Sequence, residues 1–281
     1  MVAPLSPTEY TNISTLLEKT CGIHLEPNKD YLLETRLSDL AIQEGCDTFG
    51  QLYQKIQSNR VTLLPKVIDL MTTNETYWFR DDRLWNYLRE TLVPQLLEDL
   101  ASGKKSSLRI WSAAASTGQE AYSFNILIHD YLNKIGKQYL LSKISIIGTD
   151  VSSTALFLAK TARYNSFSMN RGLTEDQKNK YFTKVKPTTW KLNDELKKQI
   201  EFKTFNLMDP FTSFGEFDLI LCRNVLIYFS KACKTEIMKK FSKRLHLDGT
   251  FILGSSETTL GYSNSFKTQN NNGAIVYKLN Q

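Results

Sequence analysis

Through the first 71 residues the apolar positions recur at helical spacing, with no stretch of strand-like alternation. Ser6-Pro7-Thr8-Glu9 has the form of a helix start, with Ser6 as cap, Pro7 in the first turn and Glu9 closing a capping box. Tyr10, Ile13, Leu16 and Leu17 then share one face, which Gly22 ends. Pro27 is expected to open a second helix that carries Leu33, Leu37, Leu40 and Ala41 and stops near Gly45. Asp47 is expected to cap a third with Phe49, Leu52, Tyr53 and Ile56, and Val61–Met71 to form a fourth. The pattern predicts an all-helical bundle over residues 1–71. Nothing in it suggests chemistry, so its expected role is recognition or support.

Polar residues break the period at Thr72-Thr73-Asn74-Glu75-Thr76, followed by Tyr77-Trp78-Phe79-Arg80-Asp81. Helical spacing resumes in Leu84–Leu100, with a bend expected at Pro94. From residue 108 the apolar runs become short and are interleaved with helices. Leu108–Trp111, Ile144–Gly148, Ile200–Phe205, Phe217–Cys222 and Phe251–Gly254 read as strands. Ala121–Ile135, Ser152–Tyr164 and Lys231–Leu245 read as helices, with Asp248-Gly249 as the exit from the last. Phe266–Thr268 and Ala274–Leu279, separated by Asn270-Asn271-Asn272-Gly273, read as a closing hairpin. Strand and helix alternation followed by a hairpin predicts an α/β fold with an open sheet over residues 91–281, its ligand at the carboxyl ends of the strands. Residues 72–90 form a linker. The stretch Asn165–Gln199 is too long for an ordinary connection and predicts a small subdomain inserted at about 165–203.

Charge and cysteine content narrow the partners. The net charge is +6, yet residues 1–70 hold 6 Lys and Arg against 9 Asp and Glu. The surplus lies in Arg171–Lys203 and in the Lys231–Arg244 helix, without the interleaved aromatics of a single-strand binding surface. Solvated helix faces account for it better than nucleic acid does, and docking to an acidic protein is a third reading. Cys21, Cys46, Cys222 and Cys233, and His24, His129 and His246, are scattered, which argues against a disulfide framework or a metal site. No apolar run approaches the roughly 18 residues of a membrane span, and a soluble, cytoplasmic monomer is expected.

Candidate chemistry centres on Leu108–Ser123, where a strand runs into the small residues Ser112–Thr117, then Gly118, then a helix start. Such a turn lets a ligand approach the backbone and offers free N–H groups to a polar or anionic group; an ordinary βα turn is the plain alternative. Asp150, at the end of the second strand, is placed to accept hydrogen bonds from ribose hydroxyls, or else to cap the following helix. For Thr72–Asp81, composition favours a connector anchored by its aromatics over a segment whose Asn74, Thr76 and Arg80 point into a cleft.

Three motifs in order carry a resemblance: Thr72–Asp81, Ser112–Ser123, and Cys222-Arg223-Asn224-Val225-Leu226-Ile227-Tyr228-Phe229. Together they resemble the chemotaxis receptor methyltransferases, the CheR family, over nearly the whole chain. The resemblance implies a class I S-adenosylmethionine-dependent methyltransferase fold, Rossmann-like, with an N-terminal helical domain and a small β-subdomain. It implies transfer of a methyl group from S-adenosylmethionine to receptor glutamates, the acceptors lying on the long cytoplasmic helices of methyl-accepting receptors. It also implies cofactor contacts from Asn74, Thr76, Arg80, Glu120, Asp150, Asn206, Leu207, Arg223 and Asn224, which reverses the anchor reading of the linker. Tyr228 is the candidate for orienting the acceptor carboxylate, beside Arg80; a core tyrosine is its alternative.

Ala115 and Ala121 stand where family members often have cysteine and proline, at positions of turn and packing. Tyr181–Trp190 lacks the glycine-rich turn with which some members dock a peptide at the receptor's end, so no such tether is expected here. A nicotinamide dehydrogenase would want three glycines at the first turn. A nucleic-acid amino-methyltransferase would want Asp/Asn-Pro-Pro-Tyr/Phe where Arg223-Asn224-Val225-Leu226 stands. A cofactor-binding signalling module without activity is the remaining alternative.

Overall fold

The structure, a computed structural model, describes residues 2–280. Helix α1 (Pro7–Cys21) begins with the expected capping box: Ser6 Oγ accepts the Glu9 N–H, and the Glu9 carboxylate accepts the Ser6 N–H at 2.9 Å. Gly22, at φ 77°, closes it. Helices α2 (Asp30–Gln43), α3 (Phe49–Ser58) and α4 (Arg60–Met71) complete the bundle around Ile13, Leu17, Leu33, Leu37, Leu52, Ile56 and Val67, all fully buried. Two starts differ from expectation. Pro27 lies outside α2, because the chain first turns through Asn28 in the left-handed region at φ 69°. The cap of α3 is Thr48 rather than Asp47: Thr48 has the extended backbone a cap requires, and its hydroxyl accepts the Gln51 N–H at 3.2 Å.

Beyond the linker, α5 (Asp82–Tyr87) and α6 (Val93–Ala101) are joined through a single π-turn at Leu88–Leu92. The irregularity falls where Pro94 has no N–H for the carbonyl four residues back, so the widened turn is where the expected bend is absorbed.

Strands β1 (Leu108–Ala113) and β2 (Ile144–Asp150) are separated by α7 (Gln119–Ile135), and α8 (Ser153–Thr161) follows β2. The inserted unit contains β3 (Arg163–Asn165), α9 (Ser166–Met169), α10 (Glu175–Tyr181), β4 (Phe182–Lys186) and β5 (Thr189–Leu192). The main sheet then continues with β6 (Ile200–Thr204), β7 (Phe217–Cys222), β8 (Leu245–Leu253), β9 (Phe266–Asn271) and β10 (Ala274–Leu279), with α11 (Lys231–Ser242) between β7 and β8.

The seven-stranded sheet has the order β6-β2-β1-β7-β8-β10-β9, and only the closing hairpin departs from parallel pairing. Strand order reverses between β1 and β7, so a crevice opens beyond their carboxyl ends. Trp111 anchors one face of the sheet, stacked on Phe214 at 4.6 Å and ringed by Phe211, Phe217 and Phe241. Ile110, Tyr122, Phe124 and Leu219 pack on the other.

Three boundaries correct the expectations. The helix expected to Tyr164 ends at Thr161, because Ala162 turns left-handed at φ 50° and Arg163–Asn165 pairs with β5. The small sheet, β3-β5-β4, therefore starts before residue 165, while Ile200–Thr204 belongs to the main sheet, paired with β2. Strand β8 begins at Leu245, not Phe251: Asp248-Gly249 is taken up in a register shift, Phe217 facing Leu245 and Leu219 facing Thr250.

Candidate active site

The turn after β1 is bent by Ala114 and Ser116, both at positive φ (65° and 50°), and then by Gly118 at 92°. What holds it is Asp150. Its Oδ2 accepts the Ser116 N–H at 2.8 Å, and its Oδ1 accepts the Ser152 N–H at 2.9 Å. Ser152, not Asp150, caps α8, through its hydroxyl and the Ala155 N–H at 3.0 Å. Asp150 is 7% exposed, and burial pushes its pKa above the ordinary carboxylate value against the opposing pull of the Ser152, Ser116 and Val151 N–H groups.

The linker divides by residue between its two readings. Trp78 and Phe79 are buried and anchor it; Trp78 packs edge-on against Tyr164 at 4.9 Å and Phe182 at 5.2 Å. Asn74, Thr76 and Arg80 line the crevice. The segment is pinned at its start by Arg36, which donates to the Met71 carbonyl at 2.6 Å and to Thr73 Oγ1 at 3.0 Å. It is pinned again where Ser116 Oγ donates to the Asn74 carbonyl at 3.0 Å. Arg80 lies over the Tyr77 ring at 5.4 Å, and among the described residues no carboxylate pairs with it.

At the end of β7, Arg223 is buried and committed. It meets the Glu120 carboxylate at 3.2 Å and donates to the Arg80 carbonyl at 2.7 Å, while Ser112 Oγ donates to the other Glu120 oxygen at 2.8 Å. These bonds tie linker, α7 and two strand ends into one wall. The Asn206 side chain is likewise occupied: its amide donates to the Thr20 carbonyl of α1 and its oxygen accepts the Met208 N–H at 3.0 Å. The Leu207 carbonyl accepts from Lys240, which also reaches the Met208 and Asp209 carbonyls. Glu120, Arg223, Asn206 and Leu207 thus shape the crevice, although the sequence offered them only as ligand contacts.

The structure brings all of the expected residues, Asn74, Thr76, Arg80, Glu120, Asp150, Asn206, Leu207, Arg223, Asn224 and Tyr228, to one cleft of about 1030 Å³ counting its open mouth. Tyr228 is held from the helical domain, its carbonyl accepting the His24 N–H at 2.8 Å beside an Ile23–Phe229 bridge. Sequence reasoning missed Phe205, Cys21 and Ile23 on the walls, and Glu257 behind them, while Ser116 lies in the turn it had singled out for a ligand. Phe205 was within reach, as the residue before Asn206 at a strand end. Cys21 and Ile23 carried no signal, since the contact joins segments about 200 residues apart in sequence.

Residues 8–72 match the model of the CheR methyltransferase, all-alpha domain, and residues 74–275 that of the CheR methyltransferase, SAM binding domain. The chain is 38% identical over 270 residues to Chemotaxis protein methyltransferase 1 of Pseudomonas aeruginosa, covering 96% of this chain and 97% of that one. It is 36% identical over 272 residues to Chemotaxis protein methyltransferase Cher2 of Pseudomonas putida, with 96% and 97% covered. Against Chemotaxis protein methyltransferase 1 of Vibrio cholerae it is 34% identical over 276 residues, with 98% of each covered. With both halves matched, in order and nearly end to end, the chain belongs to the CheR methyltransferase family and is an S-adenosylmethionine-dependent methyltransferase of chemotaxis.

Proposed function

We propose that the chain methylates side-chain carboxylates of glutamates on the cytoplasmic helices of chemotaxis receptors. The observation that carries this is the state of the acids and bases in the cleft. Among the described residues no histidine or lysine lines it. Asp150 is held by backbone N–H groups, Glu120 by Arg223 and Glu75 by Arg171, and burial pushes the Cys21 thiol up to about 11. A site without a free base suits an acceptor that is already an anion, as a glutamate of pKa about 4.3 is at neutral pH.

The donor set fits S-adenosylmethionine. Asp150 suits ribose hydroxyls, Arg80 the carboxylate of the amino-acid end with Asn74, Thr76, Glu120 and Arg223 around it, and the Val151, Phe205 and Leu207 side with Asn206 the adenine. When bound, the cofactor would supply an electrophilic sulfonium methyl group, and an acceptor carboxylate that is already ionised needs no proton removed to attack it. What this chain's residues contribute is position: Tyr228 presents its hydroxyl at the cleft wall to orient the acceptor, while Asn224 beside it adds a contact to the cofactor.

Among the described residues no helix is long and apolar enough to cross a membrane. The reading adds that the chain acts as a monomer in the cytoplasm. No observation favours the alternative of a binding module without activity.

The test is to incubate the protein with tritiated S-adenosylmethionine and receptor-containing membranes, treat the product with mild alkali and count volatile methanol. Release is expected, because hydroxide cleaves a carboxyl methyl ester and spares methylated amines. Label that stays with the receptor would refute carboxyl methylation.

A further inference from the structure

Strand β8 ends at Leu253, and the chain turns through Gly254-Ser255-Ser256 into Glu257, a residue outside the cleft lining. Its carboxylate accepts four backbone N–H groups. Oε2 takes those of Asn224 and Gly254, each at 2.7 Å, and Oε1 takes those of Val225 at 3.0 Å and Ile227 at 3.3 Å. An ionised carboxylate has about four acceptor positions, so this one is filled by the main chain alone. Three of the donors belong to the segment after β7 that carries Asn224 and Tyr228 to the cleft.

That segment does not hold its shape by itself. Asn224 stands in the left-handed region at φ 59°, a conformation asparagine tolerates better than other side chains but that no regular helix or strand holds in place. The segment's other main-chain bonds are two short turns, Tyr228 N–H to the Val225 carbonyl and Phe229 N–H to the Leu226 carbonyl, each at 3.1 Å, and the His24 contact. Gly254 lets the two strand ends approach, since a Cβ there would stand 2.9 Å from the Asn224 main-chain nitrogen and 2.7 Å from both its side-chain Nδ2 and Glu257 Oε2. We infer that Glu257 is a positioning residue for methyl transfer: its carboxylate locks the loop that sets Asn224 against the cofactor and Tyr228 against the acceptor. This rests on the reading of Tyr228 given above.

Glu257→Gln tests it, because an amide offers one accepting oxygen and turns donors toward the other pair of N–H groups. In amide NMR spectra recorded without ligand or substrate, the Asn224, Val225, Ile227 and Gly254 resonances are expected to move, with β1 and β2 unchanged. In methylation of receptor membranes, kcat is expected to fall by about ten- to a hundred-fold, while the melting temperature drops by only a few degrees. Loop resonances that stay in place overturn the placement whatever the acceptor proves to be. A kcat within about twofold of wild type in a variant of lowered melting temperature reduces Glu257 to a structural role. Should Glu257→Gln not fold, Glu257→Asp, which keeps the charge and shortens the reach, is expected to show the same shifts and an intermediate kcat; wild-type values in both would overturn the inference.

Discussion

Asp150 gives the sharpest handle on the cleft, because its two roles respond to pH with opposite signs. Burial raises its folded pKa above the unfolded value, so the folded chain binds that proton more readily. Its contribution to stability is therefore gained as pH falls through the folded pKa and lost as pH rises through it. Ligand binding runs the other way. Ribose hydroxyls need the ionised carboxylate as acceptor, so affinity for S-adenosylhomocysteine should fall as pH falls through the same window, which lies between the unfolded carboxylate's pKa and the raised folded one. Binding there should release protons, visible as a dependence of calorimetric heat on the buffer. Asp150→Ala removes a charge-assisted contact of about 1.5–3 kcal/mol, or about ten- to a hundred-fold in Kd. It also leaves the Ser116 and Ser152 N–H groups without their partner, at about 1–3 kcal/mol each, partly offset by removal of the buried charge. Calorimetric titration of the wild type and the variant at two pH values checks the binding, and their melting temperatures at the same pH values check the stability. A folded Asp150→Ala protein that binds within about threefold of wild type, or an affinity flat across the window, would refute the ribose assignment.

Arg80→Ala should weaken S-adenosylhomocysteine binding about ten-fold or more with little change in melting temperature, read by the same titration; unchanged affinity removes it from the cofactor site. Gly172→Ala should unfold the linker's seat, since at φ 91° its Cβ would lie 1.8 Å from the Trp78 carbonyl oxygen; a wild-type melting temperature by calorimetry would contradict this. Gly22→Ala, at φ 77° with its Cβ 2.2 Å from the Phe229 ring, should part α1 from the Tyr228 loop and lower the methylation rate by about ten-fold; an unaltered rate would show that the loop does not depend on the helical domain. Deleting the last several residues of the receptor should leave its methylation rate unchanged, because β4 is a short edge strand with exposed Lys184 and Lys186 and a register shift between them; a large drop would show that strand addition occurs.

What was legible in the sequence was local. The Ser6 capping box, the Gly22 stop and the bounds of β7 each depend on residues within a few positions, and each stands where the pattern puts it; the closing hairpin is also in place, but its turn narrows from Asn270–Gly273 to Asn272-Gly273 because β9 pairs on to Asn271. What failed was decided by partners far along the chain. The stretch Arg163–Asn165 leaves its helix because Thr189–Leu192 offers a strand to pair with, and Asp248-Gly249 reads as a turn until β7 recruits it into a longer strand. The same limit held at the site. The ten candidate residues do share a cleft, yet nothing in the sequence couples Glu120 to Arg223 or Asn206 to Thr20 across more than a hundred residues.

That coupling decides how the cleft's two arginines should be understood. Arg223 sits with only 2% of its side chain exposed, against Glu120 and the Arg80 carbonyl, and its removal would strand a half-buried carboxylate. A loss of binding in an Arg223 variant would therefore mix ligand contact with collapse of the wall, because breaking a buried pair costs several-fold more than an exposed one. Arg80 is differently placed. Its guanidinium lies against the Tyr77 face and touches only the Glu75 carbonyl, at 3.4 Å, so its charge is held in position without being neutralised by a carboxylate among the described residues. The backbone of Arg80 completes the wall, accepting from Arg223 and from the Trp85 indole at 2.8 Å, while its side chain faces the cleft with its charge uncommitted. One residue thus links the two duties, which is why truncating its side chain, and not that of Arg223, isolates the ligand's share of the binding free energy.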